Sequence, residues 1–440
     1  MLTRTRKRTQ VTSVLGLVTA GAFLLSACSG SGGDSPSETG GPSKDFSYLS
    51  FSENTSIKDT LTALSTGECS DANAVAKLKV DNQPQASFDQ ALQLRAGQTD
   101  LTSLFASGNS PQVAKDIESS GVLVDVGAEL KAAGLDDAII PAAKSTVESL
   151  YDGKVYVLPT EFNVEGIWYN KKLFADNGIE VPGTWDDLVA AADKLYSAGV
   201  QPFSADGTDG WPITRLVGNY IYRSLGADAL SDVADGKAKL TDTAYVEAAS
   251  KVAALGAKGY FGEAVGSIDY TTAVNQFLSG KAGMFYMGSW VLGNFNDPTA
   301  NQIGNENIGF MPFPAVTGGK GSADELAANV GVPLAMSKFR YDDGAKQWLQ
   351  CIAKNFGTQS LKDQGVITGF KVDGDVGDVP PLTQTVQDKI NETTKTVLWF
   401  EALFPPKAST TSQTNAASLV TGGISPEDFM SKIQADLDQE

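Results

Sequence analysis

The chain has 440 residues, with 52 acidic side chains against 34 basic ones and no histidine. Its formal charge of −18 falls further once the four cations of the first eight residues are removed, so the surface repels nucleic acid and anionic lipid and suits a neutral or cationic small ligand, or simply solubility. Without histidine there is no Ser-His-Asp triad, no histidine general base and no mixed histidine zinc site, and neither a cofactor nor a metal is expected.

Arg4, Arg6, Lys7 and Arg8 precede an apolar stretch, roughly Val14 to Leu25, that is too short and too interrupted for a membrane span. The stretch ends in Leu25-Ser26-Ala27-Cys28. A basic start, an apolar middle and small residues at the end make residues 1–27 a secretory signal. Its last four residues resemble a bacterial lipobox. The resemblance implies cleavage before Cys28 and lipid, palmitate included, on the cysteine sulfur and the new amino group. An ordinary secretory signal with an incidental cysteine is the alternative. Between 29 and 43 only Asp34 and Glu38 are not Ser, Gly, Pro or Thr, so 28–45 is expected to be a flexible tether. The folded body then starts near Phe46, at the outer face of a cell membrane, and the long leader suggests a Gram-positive envelope. About 395 residues remain, too many for one core and enough for two lobes.

Short apolar strands alternate with amphipathic helices along this body. Phe46 to Phe51 reads as a strand, followed by a polar break at Ser52-Glu53-Asn54 and a helix burying Ile57, Leu61 and Leu64. Ala76, Leu78 and Val80 alternate with Lys77 and Lys79 in a half-buried strand, and Phe88 and Leu92 mark the next helix. Leu101 to Phe105 is again strand, and Pro111 opens a helix with Val113 and Ile117 inward. Asp152-Gly153, between Leu150-Tyr151 and Val155-Tyr156-Val157, predicts a hairpin. Ile167-Trp168-Tyr169 is a strand, Asn170-Lys171 leads into a short helix, and Thr184 with Asp187 forms a capping-box variant before a helix with Leu188, Ala191, Ala192 and Leu195 inward. Ile213, Leu216, Val217, Tyr220 and Ile221 recur at helical spacing behind Trp211-Pro212. Strands follow at Ala282 to Met287, Ile308 to Phe310 and Val332 to Met336. Helices then run around Trp348 and, capped by Ser425, to the end. Repeated strand-helix units imply an α/β body with largely parallel sheet. Cys69 and Cys351 are either a disulfide, which an oxidising compartment permits, or two unrelated buried thiols.

Three stretches carry a family resemblance. The first is Asp152-Gly153-Lys154-Val155-Tyr156, Leu158-Pro159, Trp168-Tyr169-Asn170-Lys171, Leu173-Phe174, Gly178, Pro182 and Thr184-Trp185-Asp186-Asp187-Leu188. The second is Phe277-Leu278-Ser279-Gly280-Lys281-Ala282-Gly283-Met284, ending in Gly288-Ser289-Trp290, and the third is Gly422-Gly423-Ile424-Ser425-Pro426-Glu427. Together, behind a lipobox, they resemble the extracellular solute-binding proteins (family 1) that feed carbohydrate ABC importers, the maltose and oligosaccharide binders among them. The resemblance implies an α/β, two-lobe periplasmic-binding-protein-like fold with a hinge and an interlobe ligand cleft. It places one lobe at 46–162 with about 314–356 and the other at 163–313 with about 357–440. It implies a mono- or oligosaccharide ligand, permease subunits in the membrane as partners, and no catalysis.

A sugar cleft needs aromatic rings for pyranose CH faces and carboxylates or amides for hydroxyls. By position in the family, the ligand residues are Glu53 and Asn54 after the first strand and Asn109 after the third. Asn163 and Glu165, with Glu161, fall at the first crossing; Asp209 and Trp211 open a helix aimed at the cleft. Trp290 holds the Gly-Ser-Trp position, Asn329 lies near the second crossing, and Trp399, Phe400 and Glu401 close the site. Each tryptophan is equally a core residue, and each carboxylate one of 52 acids that are mostly solvated surface. Trp168, Trp185 and Trp348, inside strand or helix stripes, read as packing. Two other classes stand beside the sugar binder: an extracellular glycosidase or lyase, for which carboxylate pairs such as Glu161 and Glu165 could serve as acid and base, and a binder of a polyamine or peptide.

Overall fold

The computed structural model describes residues 45–52, 54–108 and 111–439. The expected signal, the tether up to residue 44, Cys28, Glu53 and Asn109 lie outside the described residues, and Asp45, expected to end the tether, opens a strand. Eleven strands are found among the described residues: β1 (Asp45–Phe51), β2 (Lys77–Gln83), β3 (Leu104–Ala106), β4 (Val157–Leu158), β5 (Asn163–Asn170), β6 (Gln201–Ser204), β7 (Ala282–Gly288), β8 (Ile308–Met311), β9 (Leu326–Asn329), β10 (Leu334–Met336) and β11 (Thr396–Val397). They form two sheets. One has the order β2-β1-β3-β10-β4; the other runs β11-β9-β5-β7-β6, with β8 paired to β5.

Helices cover these sheets, as the alternating pattern predicts, but the sheets are mixed. β1 is parallel to β2 and β3, whereas β10 is antiparallel to both β3 and β4. In the second sheet β5 is antiparallel to β7, β8 and β9, while β6–β7 and β9–β11 are parallel. The strands that break the parallel rule are those flanking the passages between sheets. A chain that leaves one sheet to enter the other arrives in it from the opposite end.

The chain passes from the first sheet to the second between β4 and β5, returns between β9 and β10, and crosses again before β11. Helix Asp343–Gln364 belongs to the first lobe, where Trp348 stacks on Phe46 at 4.9 Å and bonds the Ala76 carbonyl through Nε1 at 2.7 Å. Helix Pro381–Glu392 packs on helix Pro141–Leu150 of the same lobe. Sheet membership therefore moves the boundaries expected near 314 and 357 to the crossings at 330–333 and 393–395. β9 is only Leu326-Ala327-Ala328-Asn329, too short for a periodic signal, so the later crossing left no mark in the pattern. The first passage is tied to the second and to the segment that follows helix Asp343–Gln364. Thr160 Oγ1 donates to the Val332 carbonyl at 2.9 Å, Phe162 N to Ile367 O at 2.9 Å, and Gly369 N to Pro159 O at 2.8 Å.

Asp152 and Gly153 do adopt positive φ, 53° and 78°, but the arm before them is the end of helix Pro141–Leu150. The turn is real and the hairpin is not. A turn dipeptide reports its own backbone and says nothing of what precedes it. The capping box at Thr184–Asp187 is complete in both directions, Ser425 caps its helix as read, and Asn170, read only as leading into a helix, caps it as well.

Cys69 and Cys351 are joined by a disulfide, with 5.7 Å between their α-carbons. The bridge ties the start of helix Ser70–Val75 to helix Asp343–Gln364 across a sequence separation of 282 residues, all within the first lobe. A loop of that length loses much entropy on closure, so removing the bridge costs about 2–5 kcal/mol. Cys69→Ser/Cys351→Ser is expected to lower the melting temperature in non-reducing buffer by several degrees and to melt like the wild type in excess dithiothreitol. A variant that melts like the oxidised wild type contradicts this.

Candidate functional site

The site is built outward from Glu165. This residue lies inside β5, opposite Ala327 of β9 and Gly288 of β7, and its side chain is fully buried. Burying a lone carboxylate costs several kcal/mol, so its partners are obligatory. Oε1 accepts from Arg215 Nη1 at 2.6 Å and from Asn329 Nδ2 at 3.1 Å; Oε2 accepts from the Tyr286 hydroxyl at 3.0 Å. Asn219 Nδ2 donates in turn to the Tyr286 oxygen at 2.7 Å. Burial, helped by the Glu165 charge, holds the Tyr286 phenol well above its ordinary pKa, so it is a donor to Glu165.

Arg215 sits one turn after Trp211 on helix Trp211–Leu225. Its guanidinium carbon lies 4.5 Å from the centre of the Trp211 ring and 5.8 Å from those of both Trp290 and Trp399. Trp211 and Trp290 approach each other at 5.7 Å, tilted by 58°. The three tryptophans come from a helix start, from the turn after β7 and from the loop after β11. They converge because those three points all lie at the edge of the second sheet that faces the crossings. Trp290 folds back over Gly288, where a Cβ would stand 1.9 Å from the indole.

The crossings supply a second polar set. Asn163 Oδ1 accepts from Ser289 Oγ at 3.2 Å, and Asn163 Nδ2 lies 3.5 Å from Asn329 Oδ1, which also accepts from Gly331 N at 3.0 Å. Glu161 Oε1 accepts from Asn54 Nδ2 at 3.0 Å. Burial pushes the Glu161 carboxyl above its ordinary value, opposed by hydrogen bonds from Asn54 and the Val332 backbone. Gly331 has φ 55°, and a Cβ there would stand 2.3 Å from Glu161 Oε2. Only glycine lets the two crossings run this close.

A cleft of about 450 Å³ opens beside this set. Glu161 and Asn163 line it at the crossing, Ser289, Trp290 and Asn296 from the second lobe, and Gln364 from the first. Trp290 is thus shared between the cleft and the aromatic cage around Arg215. Among the described residues no group of three acidic, cysteine or histidine side chains is arranged to hold a metal.

Of the residues expected from sequence, Asn54, Asn163, Glu165, Trp211, Trp290, Asn329 and Trp399 gather in this region. Phe400 and Glu401 do not face it. Phe400 is 1% exposed, packed on Gly218 and edge-on to Phe404. Glu401 lies behind the cage, accepting from Thr214 Oγ1 and from Ser412 Oγ at 3.1 Å, with its carboxyl raised by burial. In the turn after β11 only one of three consecutive side chains points to the cage, and it is Trp399. Asp209 is exposed, and its backbone N–H donates to Asp206 Oδ1 at 2.9 Å. The buried carboxylate of that loop is Asp206, which the sequence reading passed over although it closely follows β6. Tyr270 was also missed: burial raises its phenol pKa, with Trp290 beside it opposing the shift and the Asp206 charge adding to it. Arg215 was missed because a cation one turn after a tryptophan resembles an ordinary solvated face. Its place beside the apolar stripe was the available signal. Trp168, Trp185 and Trp348 are core residues.

Asp206 generates a pH dependence. Its burial, with the nearby Asp209 carboxylate adding to it and the Asp209 N–H opposing it, raises the Asp206 pKa to about 6. A carboxyl with a raised folded pKa keeps its proton better folded than unfolded, so the fold is favoured below the ordinary value of 3.8 and loses that advantage as pH rises through about 6. Asp206→Asn keeps the acceptor for Asp209 and removes the charge. Its gain in melting stability over the wild type is expected to be near zero at pH 4 and to grow to about 1 kcal/mol above pH 6. A gain equal at both ends of the range would show that Asp206 does not titrate in this way.

The family model for bacterial extracellular solute-binding proteins matches residues 73–359. A multiple sugar-binding protein of Streptococcus mutans serotype c is 28% identical over 192 residues, 40% of this chain and 43% of its own. The alpha-glucosides-binding periplasmic protein AglE of Rhizobium meliloti is 30% identical over 145 residues, 30% of this chain and 31% of its own. These matches span less than half the length of either curated relative. Among solved structures, a chitin oligosaccharide binding protein superposes with TM-score 0.71 at 25% identity, covering 91% of this chain and 99% of that one. The apo form of RafE from Streptococcus pneumoniae shares the fold, with TM-score 0.66 at 20% identity over 91% of this chain and 99% of its own. The two-sheet fold agrees with the family match, and the chain belongs to the bacterial extracellular solute-binding proteins.

Proposed function

We propose that this protein captures a mono- or oligosaccharide outside the cell and passes it intact to the membrane subunits of an ABC importer. The observation that carries the reading is the convergence of Trp211, Trp290 and Trp399 beside the amides and carboxylates of the crossings. Indole faces suit pyranose CH surfaces, and Asn163, Asn54 and Glu161 offer donors and acceptors to hydroxyls. The sugar-binding names of the two relatives and the chitin oligosaccharide name of the structural neighbour support the same class. Binding would bridge the lobes and favour a closed arrangement about the crossings. No chemistry on the sugar is part of this reading. The relatives are solute-binding proteins, and Glu165 is fully buried and engaged by Arg215, Asn329 and Tyr286.

Calorimetric titration with xylo-, gluco-, galacto-, malto- and chito-oligosaccharides tests the reading. At least one is expected to bind and to be recovered uncleaved. No binding across the panel, or release of shorter sugars, would falsify it. Trp290→Ala is expected to weaken the tightest of these sugars by about thirtyfold, near 2 kcal/mol, with the ligand-free melting temperature little changed.

The anchoring part of the proposal rests on the sequence around Cys28. Among the described residues no helix is long and apolar enough to cross a membrane. Expressed with its own leader, Cys28→Ala is expected to lose metabolic palmitate labelling. An equally labelled variant would remove the anchor from the reading.

A further inference from the structure

We propose that Arg215, in the aromatic cage that adjoins the cleft through Trp290, is the residue that reads the ligand's oxygen pattern, an assignment that rests on the carbohydrate reading above. Its guanidinium is held flat among three ring faces, 4.5 Å from Trp211 and 5.8 Å from Trp290 and Trp399. One of its nitrogens, Nη1, is fixed on Glu165 at 2.6 Å. Glu165 cannot swing, because it is fully buried and held by Tyr286 and Asn329 as well. The guanidinium is therefore positioned before any ligand arrives.

It is also incompletely used. Nε is buried and has no hydrogen-bond partner among the described residues, while the side chain keeps 15% of its surface exposed. A guanidinium has five N–H donors and no acceptor. The space between the three indoles thus offers donors only. A ligand fits where it places an acceptor oxygen over this plane: a ring or glycosidic oxygen, the carbonyl of an acylated amino sugar, or a hydroxyl whose own proton is taken elsewhere. An ammonium or a methyl at the same point leaves buried donors unpaired and is rejected. Arg215 would thus select among sugars that the tryptophans accept alike, since stacking discriminates poorly between epimers and a fixed donor does not. Lysine cannot replace it, because a point charge neither stacks as a plane nor donates as a fork.

The test titrates the mature protein with the same sugar panel, comparing the wild type with Arg215→Lys, Arg215→Gln and the double variant Arg215→Gln/Glu165→Gln. The double variant leaves no carboxylate stranded and guards against simple misfolding. The sugar bound most tightly by the wild type is expected to weaken by about 10- to 100-fold in all three variants. The loss is expected to be uneven, so that the preference for this sugar over the next best falls toward one. Ligand-free melting of the double variant is expected within a few degrees of the wild type. An even loss across the panel with rank order intact would make Arg215 a scaffold residue and overturn the proposal, as would unchanged affinity in the variants. A wild type that binds none of the sugars would instead sink the carbohydrate reading, and this assignment with it.

Discussion

A carboxylate without solvent, placed in the strand that carries the chain from one lobe into the other, is the constraint around which the cleft is organised. Glu165 must be neutralised and fully hydrogen-bonded or the second sheet does not form at low cost. Each donor that satisfies it comes from a different element: Arg215 from helix Trp211–Leu225, Tyr286 from β7 and Asn329 from β9. Satisfying one charge therefore fixes three elements relative to β5. It also delivers the guanidinium to the place where Trp211, Trp290 and Trp399 meet. The buried pair is better understood as a device for position than as a source of stability, since two apolar residues of similar volume would pack there without desolvation cost.

Much of the architecture was legible because local signals are strong where helices begin. The Thr184–Asp187 box and the Asn170 and Ser425 caps each rest on a side chain bonding to nearby backbone, and Trp211-Pro212 on the fixed φ of proline in the first turn, which sequence reports directly. Tryptophans at the ends of helix and strand patterns were legible for a related reason. A large ring at the start of a helix or just past a strand has no stripe of its own to join. The mixed pairing of the sheets was not legible, since strand direction is set by which lobe the chain has just left. The crossing at 393–395 was missed, and the lobe boundary was set near 314 although Asn329 was placed beside the second crossing, because β9 and β11 are four and two residues long. Asp152-Gly153 shows the opposite failure: a strong turn signal was given a strand on its upstream side that is in fact a helix.

Within the site, the residues hardest to read were those whose role depends on a distant partner. Arg215 is one of many cations until Glu165 is brought to it from 50 positions away. Asp206 and Asp209 differ by three positions, yet one is buried and the other exposed, because Gly207 and Thr208 both donate to the Ile268 carbonyl and turn the loop between them. Phe400 and Glu401 share a turn with Trp399 but are claimed by the core and by Thr214 and Ser412. Spacing along the chain assigns residues to a loop and leaves their direction open.

The same lacing that positions the cage bears on how the lobes can move. Glu161, Asn163, Asn329 and Gly331 sit on the passages themselves, and Asn54 reaches one of them from the first lobe. A rotation of one lobe against the other has its axis near these residues, so it displaces them little and displaces the rims of the cleft much more. Groups close to the axis can therefore hold a ligand in either arrangement, and they give it no reason to prefer one. Any difference in affinity that drives closure has to come from groups farther from that axis. On the proposed reading, Trp290, which lines the cleft and also belongs to the cage, is the side chain that joins the crossing groups to Arg215.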